Sequence, residues 1–345
     1  MQEHRSSLGL QSREAEKRVV LEVRNLRTAL YSRKQTAYAV DGVSFTLREG
    51  ETLGIVGESG SGKTMTARSI MMLPPEPAAE IVGGEIYLDG EDILKLSKSE
   101  RRLVRGRKIA IILQDPQTSL NPVFSIGNQL TEVIRSREGA HLTPEAVKLR
   151  AITILRRMGV AAPERRVDDY PHQLSGGMKQ RVVGGIAIES MPRVLIADEP
   201  TTALDVTIQA QYLRLLKEIQ KDTGVSIIFI THDLGIVAQM CDKVAVMYGG
   251  RIVEQGTIRE IFKHPAHPYT EALLNSIPRV ERKVERLYAI EGQPPSMFSL
   301  PSGCHFEPRC PYAEDICRET YPPTFNSESG QVAACWRLQK QWSTQ

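Results

Sequence analysis

Short apolar runs recur along the chain at 52–56 (Thr-Leu-Gly-Ile-Val), 108–113 (Lys-Ile-Ala-Ile-Ile-Leu), 193–197 (Arg-Val-Leu-Ile-Ala), 226–231 (Ser-Ile-Ile-Phe-Ile-Thr) and 243–248 (Lys-Val-Ala-Val-Met-Tyr). Several lack a polar alternate, as strands of a parallel sheet covered on both faces do. Val19-Val-Leu-Glu-Val-Arg alternates and is rich in β-branched residues, which predicts a strand, and 84–88 (Gly-Glu-Ile-Tyr-Leu) is a further strand candidate. Between the runs the apolar spacing turns helical. Over 207–221, Ile208, Tyr212, Leu215, Leu216 and Ile219 recur every three or four residues and Gly224 follows, which predicts a crossover helix. About 80 residues between the strands at 108–113 and 193–197 carry helical periodicity, including 125–137 and 144–159, and no strong strand signal, so an inserted helical subdomain is expected. Pro and Gly become dense after residue 264, and 291–303 reads as an irregular connection into a separate tail module. Residues 1–18 are polar and charged and are expected to form a flexible tail.

Composition changes this picture little. Of 345 residues, 41% are hydrophobic and 25% charged, which excludes collagen-like, purely coiled-coil and wholly disordered chains. A net charge of +3 is far below the basic excess of a nucleic-acid-binding domain, so no nucleic-acid partner is expected. No run approaches the roughly 18 apolar residues of a spanning helix, and the start lacks a secretory apolar core, so the cytosol is the default compartment. Cysteine usage is uneven: Cys241 stands alone, while Cys304, Cys310, Cys317 and Cys335 crowd into the tail. In a reducing compartment such a cluster points to a metal before disulfides.

Gly57-Glu58-Ser59-Gly60-Ser61-Gly62-Lys63-Thr64 matches the P-loop pattern between an apolar strand and a helical stretch. Its glycines let backbone N–H groups turn onto phosphates, Lys63 is placed to reach the β- and γ-phosphates, and Thr64 offers a hydroxyl ligand for Mg²⁺. Asp198 and Glu199 end the apolar run at 193–197, where ligands bind in open α/β sheets. Asp198 is the candidate to hold Mg²⁺, and Glu199 the candidate base for an attacking water. Tyr31, with Tyr38 as the alternative, offers an aromatic face on which a nucleotide base can stack.

Leu174-Ser-Gly-Gly-Met-Lys-Gln-Arg181, upstream of Asp198-Glu199, resembles the signature of ATP-binding-cassette ATPases. Gln114 after an apolar run, Ala203-Leu-Asp205 and His232 after Ile228-Phe-Ile-Thr fall in the order of that family's Q-loop, D-loop and switch histidine. The resemblance covers about residues 19–260 and implies an α/β P-loop core with an antiparallel N-terminal β region and a helical subdomain at about 115–190. It also implies that two cassettes face head to tail, so that Ser175, Gly176, Gly177 and Gln180 of one act on the ATP held by Lys63 of the other. His232 and Gln114 would attend the γ-phosphate, Gln114 also serving Mg²⁺.

A closer resemblance follows from Gln114-Asp-Pro-Gln-Thr-Ser-Leu-Asn-Pro122, Tyr170-Pro-His-Gln-Leu174 and Asp198-Glu-Pro-Thr-Thr-Ala-Leu-Asp-Val-Thr207. With His264-Pro-Ala-His-Pro-Tyr and the cysteine-containing end, these are similar to the oligopeptide and dipeptide importer ATPases, of the D-component type, over about residues 19–337. That resemblance implies a C-terminal extension at 261–345 with a four-cysteine module at 304–335. It implies peptide import, a second cassette of the F type, two membrane permease subunits, an extracytoplasmic substrate-binding protein, and a peripheral place on the cytoplasmic face of the membrane. A nickel or other small-solute importer is the near alternative, and a soluble ATP-switch or assembly cassette the alternative of another class. The spacing C-x5-C-x6-C-x17-C lacks C-x2-C knuckles. The resemblance associates the four cysteines with a 4Fe-4S cluster, and Zn²⁺ stays open because four thiolates also satisfy it. Cys241 reads as an inert buried thiol, and His305, next to Cys304, as an exposed loop residue with metal ligation as the alternative.

Overall fold

The computed structural model describes residues 17–138, 141–202, 204–277 and 289–342. Most of the expected N-terminal tail and Ala203 of the D-loop lie outside these residues.

The N-terminal part is antiparallel. β1 (Val19–Tyr31) pairs with β2 (Thr36–Arg48) on one side and β4 (Ala79–Leu88) on the other, and β5 (Glu91–Asp92) adds the edge. Val23, Leu26, Val40, Val43, Phe45 and Leu47 face inward from this sheet. β2 does not read as one alternating run: Val43-Ser-Phe-Thr-Leu47 alternates, but the pattern breaks at Asp41-Gly42, where the register with β1 slips and Gly42 sits at φ 73°.

β3 (Thr52–Val56), α1 (Lys63–Ile70) and α2 (Lys98–Arg107) lead to β6 (Ile109–Ile112). From there to β7 (Val194–Asp198), every regular element among the described residues is helical: α3 (Pro116–Ser119), α4 (Ile126–Glu138), α5 (Pro144–Arg157), α6 (Pro163–Arg166), a short 3-10 turn at Pro171–Gln173, and α7 (Gly176–Glu189). Leu130, Ile134, Val147, Ala151, Leu155 and Val182 belong to the apolar cluster that packs these helices together. Then come α8 (Val206–Thr223), closed by Gly224 at φ 71°, β8 (Ser226–Ile230), α9 (Leu234–Met240), β9 (Lys243–Tyr248) and β10 (Arg251–Thr257).

The large sheet runs β9-β3-β8-β7-β6 in parallel. All five residues of β3, β7 and β8 are buried, which is why these strands are apolar throughout. Ile112, Leu195, Ala197, Ile227 and Phe229 look toward the helices, while Ile55, Val194, Ile196, Ile228 and Met247 look toward α1 and the antiparallel sheet.

β10 runs antiparallel to β9 and is the second strand that periodicity does not reveal. Its buried pair Val253-Glu254 breaks alternation, and Glu254 is fully buried because its carboxylate accepts the N–H groups of Ala266 and His267 at 2.8 and 2.9 Å. The C-terminal segment follows with α10 (Ile258–Lys263), α11 (Pro268–Asn275), α12 (Asp315–Glu319), β11 (Phe325–Asn326), β12 (Val332–Ala333) and α13 (Trp336–Trp342). β12 joins β10, so this segment extends the main sheet. Tyr269 and Phe306 bring it into an apolar cluster with Val56, Val246 and Tyr248 of the central strands.

Candidate functional site

The P-loop connects β3 to α1, and its shape depends on glycine. Gly57 sits at φ 152°, where a Cβ would lie 2.1 Å from the Met247 carbonyl oxygen, and Gly62 sits at φ 107°, where a Cβ would lie 2.3 Å from that of Ala39. No other residue fits those contacts without backbone movement. Lys63 is buried and turns back over the loop, donating to the carbonyls of Gly57 and Glu58 at 2.8 Å each. Burial lowers its pKa, opposed by the charges of Glu199, Asp198 and Glu58. Ser61 Oγ is buried among the loop's atoms without a hydrogen-bond partner among the described residues. Such an orphaned hydroxyl beside a phosphate-binding loop fits a ligand with acceptor oxygens.

β7 delivers the acidic pair to the same place. Thr64 Oγ1 donates to Asp198 Oδ1 at 3.2 Å, bringing together two oxygen donors of the kind Mg²⁺ prefers. Burial raises the pKa of Asp198, and the Thr64 hydroxyl partly offsets this. Glu199 follows at φ 46°, a strained backbone for a non-glycine residue, with its N–H donated to the Ile230 carbonyl at 2.9 Å. Three side chains converge on its carboxylate. Gln114 Nε2 donates to Oε2 at 2.8 Å, Thr202 Oγ1 donates to Oε2 at 3.0 Å, and His232 Nδ1 lies 3.3 Å from Oε1. Gln114 stands just past β6 and His232 just past β8, so three neighbouring parallel strands each contribute one of these residues at their carboxyl ends.

Residues from the helical stretch sit differently. Ser175 caps α7, its Oγ accepting the N–H of Met178 at 3.4 Å, and Ser175 and Gly176 are exposed. Gly177 is partly exposed. Gln180, expected to act with them, is corrected by the structure. It is 2% exposed and lies beside the Tyr212 hydroxyl, because five positions along a helix turn its side chain from the exposed face to the core. Asp205 caps α8, accepting the N–H groups of Thr207 and Ile208 at 3.1 and 3.0 Å. Tyr31 and Tyr38 are both exposed on the β1–β2 hairpin, and the Tyr31 hydroxyl donates to Glu80 at 3.3 Å.

The P-loop also has neighbours that sequence reasoning missed. The Tyr269 hydroxyl accepts the N–H of Glu58 at 2.8 Å, and Arg309 makes a two-pronged pair with the Glu58 carboxylate at 2.6 and 3.0 Å. Separations of 211 and 251 residues leave no local signal for either contact.

In the tail, Cys304, Cys310, Cys317 and Cys335 line one cavity together with Phe306, Tyr312 and Trp336, and all four are free thiols. Burial pushes Cys304 up to about 12 and Cys335 up to about 11, and it raises Cys310 as well. Among the described residues, no three His, Cys, Asp or Glu side chains close into a set that could hold a metal ion. His305 is not the exposed loop residue expected. It is buried, with Nδ1 2.8 Å from the Gly249 carbonyl oxygen and its ring against Tyr321. Cys241 is largely buried beside β3, its thiol pKa raised by burial.

A P-loop and an acidic strand end gathered on a parallel sheet, with a match of residues 40–202 to the ABC transporter family, define an ABC-type ATPase. In the dimeric, ADP- and Pi-bound structure of the ATP-binding cassette MJ0796, 99% of that chain superposes on 69% of this one with a TM-score of 0.63 and 26% identity. Residues 253–317 match the oligopeptide/dipeptide transporter C-terminal region. Oligopeptide transport ATP-binding protein OppD of Bacillus subtilis is 49% identical over 92% of this chain and 89% of its own length. The dipeptide transport ATP-binding protein DppD of the same organism is 48% identical over 92% of this chain. A probable peptide ABC transporter ATP-binding protein of Sinorhizobium fredii is 48% identical over 92% of this chain and 95% of its own length. The chain belongs to this family of peptide-transporter ATP-binding proteins. Among the described residues no helix is long and apolar enough to cross a membrane.

Proposed function

We propose that this chain hydrolyses ATP to drive import of di- or oligopeptides through separate membrane subunits, working as one half of a head-to-tail pair of cassettes. The observation that carries the reading is the convergence of Gln114, Thr202 and His232 on Glu199 beside the P-loop and Asp198. ATP binds with its phosphates on the loop from Gly57 to Thr64, Lys63 swinging from the loop carbonyls to the β- and γ-phosphates. Thr64 and Asp198, with Gln114, would hold Mg²⁺, which when bound would supply positive charge to the phosphates. Glu199, fixed by its strained backbone and its three neighbours, accepts a proton from the attacking water, and His232 and Gln114 orient the reacting groups. Tyr31 stacks on adenine, with Tyr38 on the same exposed hairpin as the alternative.

The helices between β6 and β7 act as the subdomain that presents Ser175, Gly176 and Gly177 to the partner's γ-phosphate, and Asp205 faces the partner cassette. An exposed helix start with a serine cap supports this reading, since it offers N–H donors and a hydroxyl to an anion. The partner is an F-type cassette, and the pair docks on two permease subunits at the cytoplasmic face, served by an extracytoplasmic peptide-binding protein. The names of the similar proteins favour peptides over nickel as the cargo.

The four tail cysteines hold a 4Fe-4S cluster. Four free thiols lining one cavity support this reading, since four cysteine ligands are the usual complement of such a cluster. Zn²⁺ is the alternative occupant, since four thiolates also satisfy it.

Isolation of the chain from gently solubilised native membranes tests the importer reading. Two multispanning proteins and a second cassette are expected to co-purify, with ATPase activity stimulated by peptide-loaded binding protein. A chain that comes away alone, or with water-soluble proteins only, contradicts it.

A further inference from the structure

We propose that Arg309, carried by the C-terminal segment, is a positioning residue of the nucleotide site: it neutralises Glu58 and fixes the P-loop in its phosphate-binding shape. The inference rests on the reading of that loop as the ATP site.

Glu58 places a carboxylate in the loop that must receive a polyanion. Its two oxygens are taken by the Arg309 fork, Nη1 to Oε2 at 2.6 Å and Nη2 to Oε1 at 3.0 Å, in the bidentate geometry that only a guanidinium provides. The Arg309 side chain is 4% exposed and that of Glu58 is 25% exposed, so the pair is shielded from the screening that weakens surface ion pairs. The rest of the guanidinium is also held. Nε donates to the Glu291 carbonyl at 3.0 Å, Nη1 reaches the Tyr248 hydroxyl at 3.3 Å, and the group stands 5.8 and 5.9 Å from the ring centres of Tyr248 and Phe306. An arginine fixed on all sides does not follow the carboxylate; the carboxylate follows the arginine.

The backbone of the same residue is held from both sides. The Glu58 N–H is donated to the Tyr269 hydroxyl of α11, and the Glu58 carbonyl accepts Lys63 Nζ at 2.8 Å. The C-terminal segment therefore grips, through side chain and main chain, the residue on which the phosphate-binding lysine rests. Residues Pro294 to Met297 of the same segment wall the cavity beside Glu58, Ser59 and Ser61. Without Arg309 the Glu58 charge is left beside the phosphates, where it opposes ATP.

The test is a double-substitution cycle in the full chain, read as the dissociation constant for Mg-ATP by calorimetry. Arg309→Ala is expected to weaken binding about five- to tenfold. In the Glu58→Gln background the same change is expected to have less than about a twofold effect, because no charge remains to neutralise. Arg309→Lys keeps the charge and the stem while losing the fork; an effect of about two- to threefold is expected, again lost with Glu58→Gln, and this variant decides the question if Arg309→Ala fails to fold. Unchanged affinity in Arg309→Ala and Arg309→Lys overturns the proposal. Equal weakening in both backgrounds also overturns it, since that is the mark of packing alone. Lys63→Ala in the same assay separates the two levels: if it leaves Mg-ATP binding intact, the nucleotide-site reading fails; if it abolishes binding while Arg309→Ala does nothing, only this inference fails.

Discussion

At the scale of single residues, burial decides which polar groups are available for chemistry. His267 is fully buried and caps α11, its Nδ1 accepting the N–H of Tyr269 at 3.0 Å, and burial pushes its pKa from 6.5 down to about 3. It is therefore neutral in the folded chain where the unfolded chain takes up a proton. Its contribution to stability is complete above pH 6.5 and falls as the pH drops toward 3, by up to about 1.4 kcal/mol per pH unit for one proton. Urea unfolding of wild type and His267→Asn across that range checks this. The asparagine keeps a capping acceptor and does not titrate, so its profile should be shallower by about that slope; parallel profiles contradict the assignment. The same reasoning separates Ser175, exposed at a helix start, from Gln180, turned into the core five residues later. Spacing within a motif placed both together, whereas helical rotation sends them to opposite environments.

At the scale of elements, the parts that were legible in the sequence are those with one local cause. The strands β3, β7 and β8 are apolar throughout because both faces are covered, and α8 shows its 3.6-residue stripe and its closing Gly224. The P-loop was legible because its glycines are dictated by backbone contacts of about 2 Å that no Cβ tolerates. β2 and β10 were hidden for specific reasons: an alternation broken at Asp41-Gly42 in one, and a buried Glu254 satisfied by a later turn in the other. Arg309 and Tyr269 beside Glu58 could not be read at all, since chain folding alone brings them there. Gly62→Ala, forced at φ 107° against the Ala39 carbonyl, should cost about 2 kcal/mol or more of stability and remove ATP binding. Denaturant unfolding and ATP titration measure both, and a variant that keeps wild-type values contradicts the loop's described shape.

At the scale of the whole molecule, the C-terminal segment is part of the nucleotide-binding half in space. β12 extends the main sheet through β10, Phe306 packs on Tyr248 and Tyr269, and Arg309, next in sequence to Cys310, reaches the P-loop. A small module with so little apolar core of its own needs a staple, and a cluster on four cysteines would supply one. On the proposed four-cysteine cluster, anaerobically purified wild type is expected to carry about four iron atoms and matching acid-labile sulfide per chain, and Cys310→Ser to lose most of both. Full metal content in that variant contradicts four-cysteine ligation. The central claim is that Glu199, assembled with Gln114 and His232 beside Asp198, is the base for ATP hydrolysis in a cassette pair. Its most direct measurement is steady-state ATP turnover of the membrane-derived complex carrying Glu199→Gln, with bound nucleotide assayed in parallel. The account predicts turnover reduced by at least about 100-fold with ATP retained in a closed pair. Turnover near that of the wild type would contradict it.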